Sequence, residues 1–291
     1  MNDIIISGFA DEISLDFDEQ LETVTSLGMN YICIRSANKK GIADFTVKEI
    51  EDDIKPKLDK KGIKVSSLGS AIGKVPVDDE AAFQTQLAQL DNLCKIAKVL
   101  DCKYIRIFSF FVPEGQNPED QKDVVVEKLK KFIEVAKKND VILIHENEKG
   151  IFGDTGKRCL YLFDKLECDH FKAAFDFANF VQCDDDPEEC WNMLKDKVVY
   201  IHIKDAEKET KENVVVGSGD GKVEMLLKRA IREDNYKGFL TLEPHLVNFA
   251  FFAPGKKAPV VADHLIGKQA RNGKEGYTMQ YNALKEILSR I

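Results

Sequence analysis

The chain lacks any apolar run approaching the roughly 18 residues that a membrane span requires. It passes straight into Ile4-Ile5-Ile6, with neither a basic leader nor a long apolar stretch, so no secretory signal is expected. Basic charge is short as well: 42 Lys and Arg against 50 Asp and Glu leave a formal charge of −8. That deficit excludes the basic footprint that nucleic acid or an anionic membrane surface selects. None of the seven cysteines forms a CxxC pair, and the odd, scattered set reads as reduced thiols rather than a disulfide framework. No GxGxxG follows the first apolar run, which speaks against an open dinucleotide-binding sheet. What remains is a cytoplasmic globular protein whose 44% hydrophobic content suffices for a large core.

Eight short β-branched runs punctuate the chain, at residues 4–9, 31–35, 64–68, 103–109, 141–146, 172–177, 198–204 and 238–243. Most lack polar/apolar alternation, as parallel strands buried on both faces do. Helical spacing fills the gaps. Phe17, Leu21, Val24 and Leu27 follow a candidate N-cap, Ser14, and stop at Gly28. Phe83, Leu87, Leu90, Cys94 and Ala97 repeat the pattern, as do Leu129, Phe132, Ile133 and Ala136, then Val223, Leu226, Leu227, Ala230 and Ile231. The acidic run Asp184–Glu189 reads as a helix start with Pro187 in its first turn rather than a metal site. These units predict a single (β/α)8 TIM barrel over residues 1–291. One connection is long: residues 244–276 carry no clear element, against the usual two to six residues or so. With Phe249, Phe251 and Phe252 it is expected to form a lid over the barrel mouth or a subunit contact such as a homodimer.

Active sites of such barrels form where the strands end. Strand five ends in His145-Glu146-Asn147-Glu148, strand six in Asp176-Phe177-Ala178-Asn179, strand seven in His202-Ile203-Lys204-Asp205 and strand eight in Glu243-Pro244-His245. Buried charges without partners are costly, and four successive strand ends carrying carboxylate or imidazole make sense around a cation. Strand parity puts Glu146 with Glu148, opposite His145 and Asn147, and His202 with Lys204 rather than Asp205.

The motifs LIHENEKGIFGDT, FDFANF, YIHIKDA and TLEPH, preceded by SGFADEIS, IRS and YIRIFSF, resemble the sugar phosphate isomerase/epimerase family with a xylose isomerase-like barrel. That family includes the ketose 3-epimerases, and the likeness covers nearly the whole chain. The resemblance implies metal ligands at Glu146, Asp176, His202 and Glu243, the two glutamates also acting as catalytic acid and base. Three carboxylates and an imidazole suit one divalent ion, Mn2+, Mg2+ or Co2+ better than Zn2+. The implied reaction takes a proton from a sugar, or sugar phosphate, beside its carbonyl and returns it through an enediolate.

Arg35, Arg106 and Lys204 are expected to grip substrate oxygens. Asn179 stands where the ketose 3-epimerases carry a substrate-contacting histidine, which points to a different substrate. Asp11 and Glu12 read as a helix cap in preference to part of the barrel mouth, and Gly217-Ser218-Gly219-Asp220-Gly221 as a plain turn in preference to a phosphate cradle; Asn147 and Glu148 are expected to shape the rim, and His145 to be a structural hydrogen-bonder. A dehydratase of a related keto-sugar and a non-catalytic sugar-binding barrel are the alternatives. An endonuclease IV-like nuclease is disfavoured by five histidines and the negative charge.

Overall fold

The apolar runs fold as strands covered on both faces. A computed structural model describes residues 4–247 and 267–291. Eight parallel strands make one sheet: β1 (Ile4–Gly8), β2 (Tyr31–Ile34), β3 (Lys64–Ile72), β4 (Tyr104–Ile107), β5 (Ile142–Glu146), β6 (Phe171–Asp176), β7 (Val198–Ile203) and β8 (Gly238–Leu242). Hydrogen bonding runs β1-β8-β7-β6-β5-β4-β3-β2. The two ends meet at one parallel bridge, between Phe9 and Cys33. The expected barrel is present, with its seam between β1 and β2.

Strand three outruns its expected end at residue 68 because Gly73 turns sharply at φ +88°, where a Cβ would lie 2.0 Å from the Phe108 carbonyl oxygen. That close approach lets the Phe108 N–H donate to Ile72 O at 2.8 Å after β4 has left the ladder.

The helices are α1 (Phe17–Ser26), α2 (Lys55–Lys61), α3 (Glu80–Val99), α4 (Lys122–Asn139), α5 (Gly156–Lys165), α6 (Pro187–Leu194), α7 (Val223–Arg232) and α8 (Gly273–Arg290). A short turn of helix, Phe177–Gln182, starts directly at the end of β6. The apolar stripes expected on α1, α3, α4 and α7 pack against the barrel's outer face, buried except for half-buried Leu27, Leu87 and Ile231. Each fully buried Leu or Phe there contributes roughly 2–3 kcal/mol. The cap of α1 is Asp16, which accepts from the Glu19 N–H, and not Ser14, whose hydroxyl bonds the Glu19 carboxylate instead. The acidic run does begin a helix: Asp186 caps α6 by accepting from the Glu188 and Glu189 N–H groups, and Pro187 is its first residue.

A second, smaller cluster lies apart from that shell. Ile144, Ala174 and Tyr200, with Tyr104, Ile142 and Phe239 against them, pack together from β4 to β8 inside the barrel. The Tyr200 hydroxyl lies 2.8 Å from Ser66 Oγ and 2.9 Å from Ser67 Oγ. Because alternate strand residues share a face, one step of two along each strand leads from this plug to Arg106, Glu146, Asp176, His202 and Thr241. A further step leads to Lys204 and Glu243.

The long connection ends at Gly273, three residues before the expected boundary, where Asn272 caps α8. Its flanks meet, since the Gly267 N–H donates to His245 O at 2.9 Å. Phe249, Phe251 and Phe252, and the rest of residues 248–266, lie outside the described residues. Among the described residues no helix is long and apolar enough to cross a membrane, and none of the seven cysteines is paired.

Candidate metal centre

The strand ends bring Glu146, Asp176, His202 and Glu243 together, all buried, with one donor atom from each within 4.8 Å of the others. Ladder register does part of this, pairing Asp176 with His202 across β6 and β7. Asn147 does another part: its side chain exchanges two 3.0 Å hydrogen bonds with the Asp176 backbone, tying the ends of β5 and β6. His202 Nδ1 faces all three carboxylates, 3.0 Å from Glu146, 3.3 Å from Glu243 and 3.8 Å from Asp176. Ligands about 2.1 Å from one ion stand roughly 3.0–3.4 Å apart; the Glu146 and Glu243 separations match this, and Asp176 stands somewhat farther out.

Three further cations crowd the cluster. Arg106 Nη1 lies 2.9 Å from Glu146 Oε2 and 3.5 Å from Glu243 Oε1. Arg35 bonds Glu243 at 3.1 Å and Asp11 at 2.8 Å, and Lys204 Nζ is 2.9 Å from Asp176 Oδ2. Both guanidinium groups lie over the ring of Phe9, 4.9 and 4.7 Å from its centroid, while His202 meets the same ring edge-on at 5.2 Å. Phe9 is thus the platform of the site.

The charges do not balance. Asp11, Glu12, Glu146, Asp176 and Glu243 are five buried carboxylates against three buried cations, Arg35, Arg106 and Lys204. Leaving the histidines aside, the carboxylates exceed the cations by two charges, an excess that a proton on His202 relieves in part and a divalent ion would offset in full. Asp176 Oδ2 and Glu243 Oε2 accept no hydrogen bond of good geometry although cations stand near them. The residues present therefore fit a divalent metal.

The four groups are shifted in different directions. Burial alone would raise Glu146, but His202 and Arg106 outweigh it and hold the carboxyl at about 2. Burial likewise opposes the Glu243 carboxylate, and Lys204 and His202 bring it well below the usual range. Asp176 goes the other way, raised by burial to about 6 despite Lys204. Burial disfavours the His202 imidazolium, yet Glu146 and Glu243 push it up to about 9.

Of the expected substrate-gripping groups, Arg35, Arg106 and Lys204 all reach the cluster. Asn179 does too, its Nδ2 donating to Asn147 O at 2.8 Å and to Glu146 Oε1 at 3.3 Å. Other expectations are corrected. Asp11 and Glu12 form no cap; they sit in a single buried 3-10 turn, Asp11 on Arg35 and Ser36, Glu12 accepting from the His245 N–H at 2.8 Å. The glycine loop after β7 is no phosphate cradle, because the Asp205 carboxylate fills it. It accepts from the N–H groups of Gly217, Gly219, Gly221 and Ala206 at 2.9, 3.1, 2.9 and 2.9 Å. A Cβ on Gly219 would lie 2.5 Å from Asp205 Oδ1.

His145 faces away from the cluster, as its parity implies, but both its ring nitrogens lack hydrogen-bond partners among the described residues. It packs against Phe163 and Phe171 as a buried neutral ring. Asn147 and His245 stood among the polar strand ends in the sequence without a role assigned at the metal cluster, and Phe9 had no signal of its own, since its contacts are remote in the chain.

Residues 21–265 match the family model described as the xylose isomerase-like TIM barrel. No curated protein matches the chain. Among solved structures, the D-allulose 3-epimerase of a Methylomonas species in complex with D-allulose superposes with a TM-score of 0.74 at 15% identity, covering 99% of this chain and 97% of that one. The IOLI protein with a bound zinc atom gives 0.74 at 16% identity over 98% of both chains. The probable 3-DHS dehydratase AsbF of Bacillus anthracis gives 0.70 at 12% identity over 97% and 98%. At such identities these likenesses establish the fold alone.

Proposed function

Because the chain belongs to the xylose isomerase-like TIM barrel family, we propose that it is a metal-dependent sugar isomerase or epimerase working by proton transfer through an enediolate. The observation that carries the reading is the convergence of four buried donor atoms, three from carboxylates and one from an imidazole, within 4.8 Å of one another. Held by Glu146, Asp176, His202 and Glu243, such an ion supplies Lewis acidity toward the substrate's carbonyl and adjacent hydroxyl. The oxygen-rich set favours Mn2+, Mg2+ or Co2+ over Zn2+, and the zinc of the IOLI protein puts zinc in the same test panel.

Glu146 and Glu243 extend from β5 and from beyond β8, and Arg106 lies between them. One carboxylate takes the proton from the carbon beside the carbonyl, leaving the electron pair in the enediolate, and the other returns a proton to the opposite face or the neighbouring carbon. His202 and Arg106 keep Glu146 ionised for this exchange, and Lys204 and His202 do so for Glu243. Lys204 and Arg35 orient the substrate's oxygens, and Asn179 braces Glu146.

A dehydratase acting on a related keto-sugar is the second reading. It is favoured by Asn179, which spends its amide on Glu146 and Asn147 rather than leaving it for substrate, and by the fold shared with a dehydratase. The test joins metal analysis with solvent-deuterium exchange on a panel of ketoses and ketose phosphates. Metal-dependent exchange into a ketose without water loss supports the isomerase reading. Loss of water with an enone product supports the dehydratase, and bound metal with neither reaction leaves a sugar-binding barrel.

A further inference from the structure

Outward from the ligands, one ion pair combines closeness to the site with access to solvent. Lys74, just past the Gly73 turn, reaches Glu148, just past β5, with Nζ 2.7 Å from Oε2, and the two side chains are 21% and 25% exposed. Arg35, Arg106, Lys204 and the ligand carboxylates are at most 5% exposed. Lys74 Nζ lies 4.3 Å from the centroid of Phe108, and the Arg106 guanidinium lies 5.0 Å from that same ring. The pair is thus separated from Arg106 by one aromatic ring, and Arg106 in turn bonds Glu146. Its placement is stiff, because no side chain fits at Gly73 against Phe108 O and the Lys74 N–H is tied to Ala71 O at 3.0 Å.

We propose that Lys74 and Glu148 are specificity-determining residues that read the distal hydroxyls of an uncharged sugar, an assignment that rests on the isomerase/epimerase reading. A hydroxyl both donates and accepts, so an adjacent ammonium and carboxylate answer it on both counts. A partly exposed ion pair is held weakly, so a sugar can take over its hydrogen bonds. A phosphate at the same place meets the Glu148 carboxylate along with Lys74. Deeper in, Arg35, Arg106 and Lys204 are each engaged by carboxylates of the protein.

The test is equilibrium titration of the Mn2+-loaded protein with D-allulose and with D-fructose 6-phosphate, for the wild type, Glu148→Gln and Lys74→Met. The wild type is expected to bind the free ketose more tightly. Glu148→Gln should weaken D-allulose about tenfold and tighten the phosphate, since Lys74 loses its counter-charge. Lys74→Met should weaken both ligands, with metal affinity and unfolding midpoint unchanged. Unaltered Kd values in both variants overturn the assignment. So does an equal loss of both ligands in Glu148→Gln with a lowered unfolding midpoint, and so does wild-type preference for the phosphate or no binding of either probe. Solvent-proton exchange is scored separately. Exchange with unshifted binding rejects this assignment alone, and shifted binding without exchange rejects the isomerase reading alone.

Discussion

His202 Nδ1 lies 3.0 Å from Glu146 Oε1, and neither side chain is more than 1% exposed. With its pKa pushed up to about 9, the imidazole is protonated at neutral pH in the metal-free protein, so a metal ion has to displace that proton. A histidine raised in the fold contributes stability that is complete below its unfolded pKa of about 6.5 and is lost as pH rises through its folded value. The metal-free protein is thus expected to weaken between about pH 6.5 and 9 on account of this residue while metal affinity climbs over the same window. Calorimetry in buffers of different ionisation enthalpy should find close to one proton released per metal at about pH 7.5, falling toward none above about pH 9. No release at the lower pH would remove His202 from the ligand set.

Glu243→Gln keeps the size of the side chain and removes its charge. Exchange of the substrate's α-proton with solvent is expected to fall by about a hundredfold or more, the usual share of a positioned acid or base. Metal affinity should fall as well, so the measurement is made at saturating metal, with exchange followed by NMR in deuterated water. Normal exchange under those conditions would take Glu243 out of the proton-transfer role.

His145 gives the fold a pH dependence of opposite sign. Burial without partners lowers its pKa to about 4, so the unfolded chain binds its proton first and stability is lost as pH falls from about 6.5 to 4. The loss at the acid end is roughly 3 kcal/mol from this group. His145→Leu, which suits the Phe163 and Phe171 surroundings, should flatten that slope in urea unfolding at a series of pH values. An unchanged slope would mean that His145 gains a proton without penalty in the fold.

Asp205 is a structural carboxylate one residue from Lys204. Replacing it with Ala strips four backbone N–H groups of their acceptor and is expected to cost about 2–4 kcal/mol of stability. Metal stoichiometry should stay at the wild-type value, because Asp205 faces the loop and not the ligands. Denaturant titration with metal analysis on the same sample checks both statements, and loss of metal from a folded variant would contradict the second.

The barrel was legible because strands covered on both faces are apolar throughout, and the stretch Val141–Ile144 shows that without help from neighbours. That the ends of strands five to eight would converge was legible because each carried a carboxylate or imidazole, while the choice of Glu146, Asp176, His202 and Glu243 among them came from the resemblance. Between a cap and the barrel mouth, Asp11 and Glu12 were weighed toward the cap, because a carboxylate in a turn looks the same in sequence whether it caps a helix or answers an arginine 24 residues on, as Asp11 does. His145 was taken for a hydrogen-bonder because nothing local shows that Phe163 and Phe171 enclose it. Phe9 was invisible as a platform, since an aromatic after a strand is ordinarily core. Its role exists only because Arg35, Arg106 and His202 arrive from three other strand ends.

Phe9 also makes the bridge to Cys33 that joins β1 to β2. The barrel is closed by the same residue on which its two buried arginines rest. A substitution that loosens this joint need not unfold the other strand pairs. It would let Arg35 and Arg106 drift from the carboxylates they hold, and the damage would surface first as weak catalysis in a protein that still purifies as a folded one.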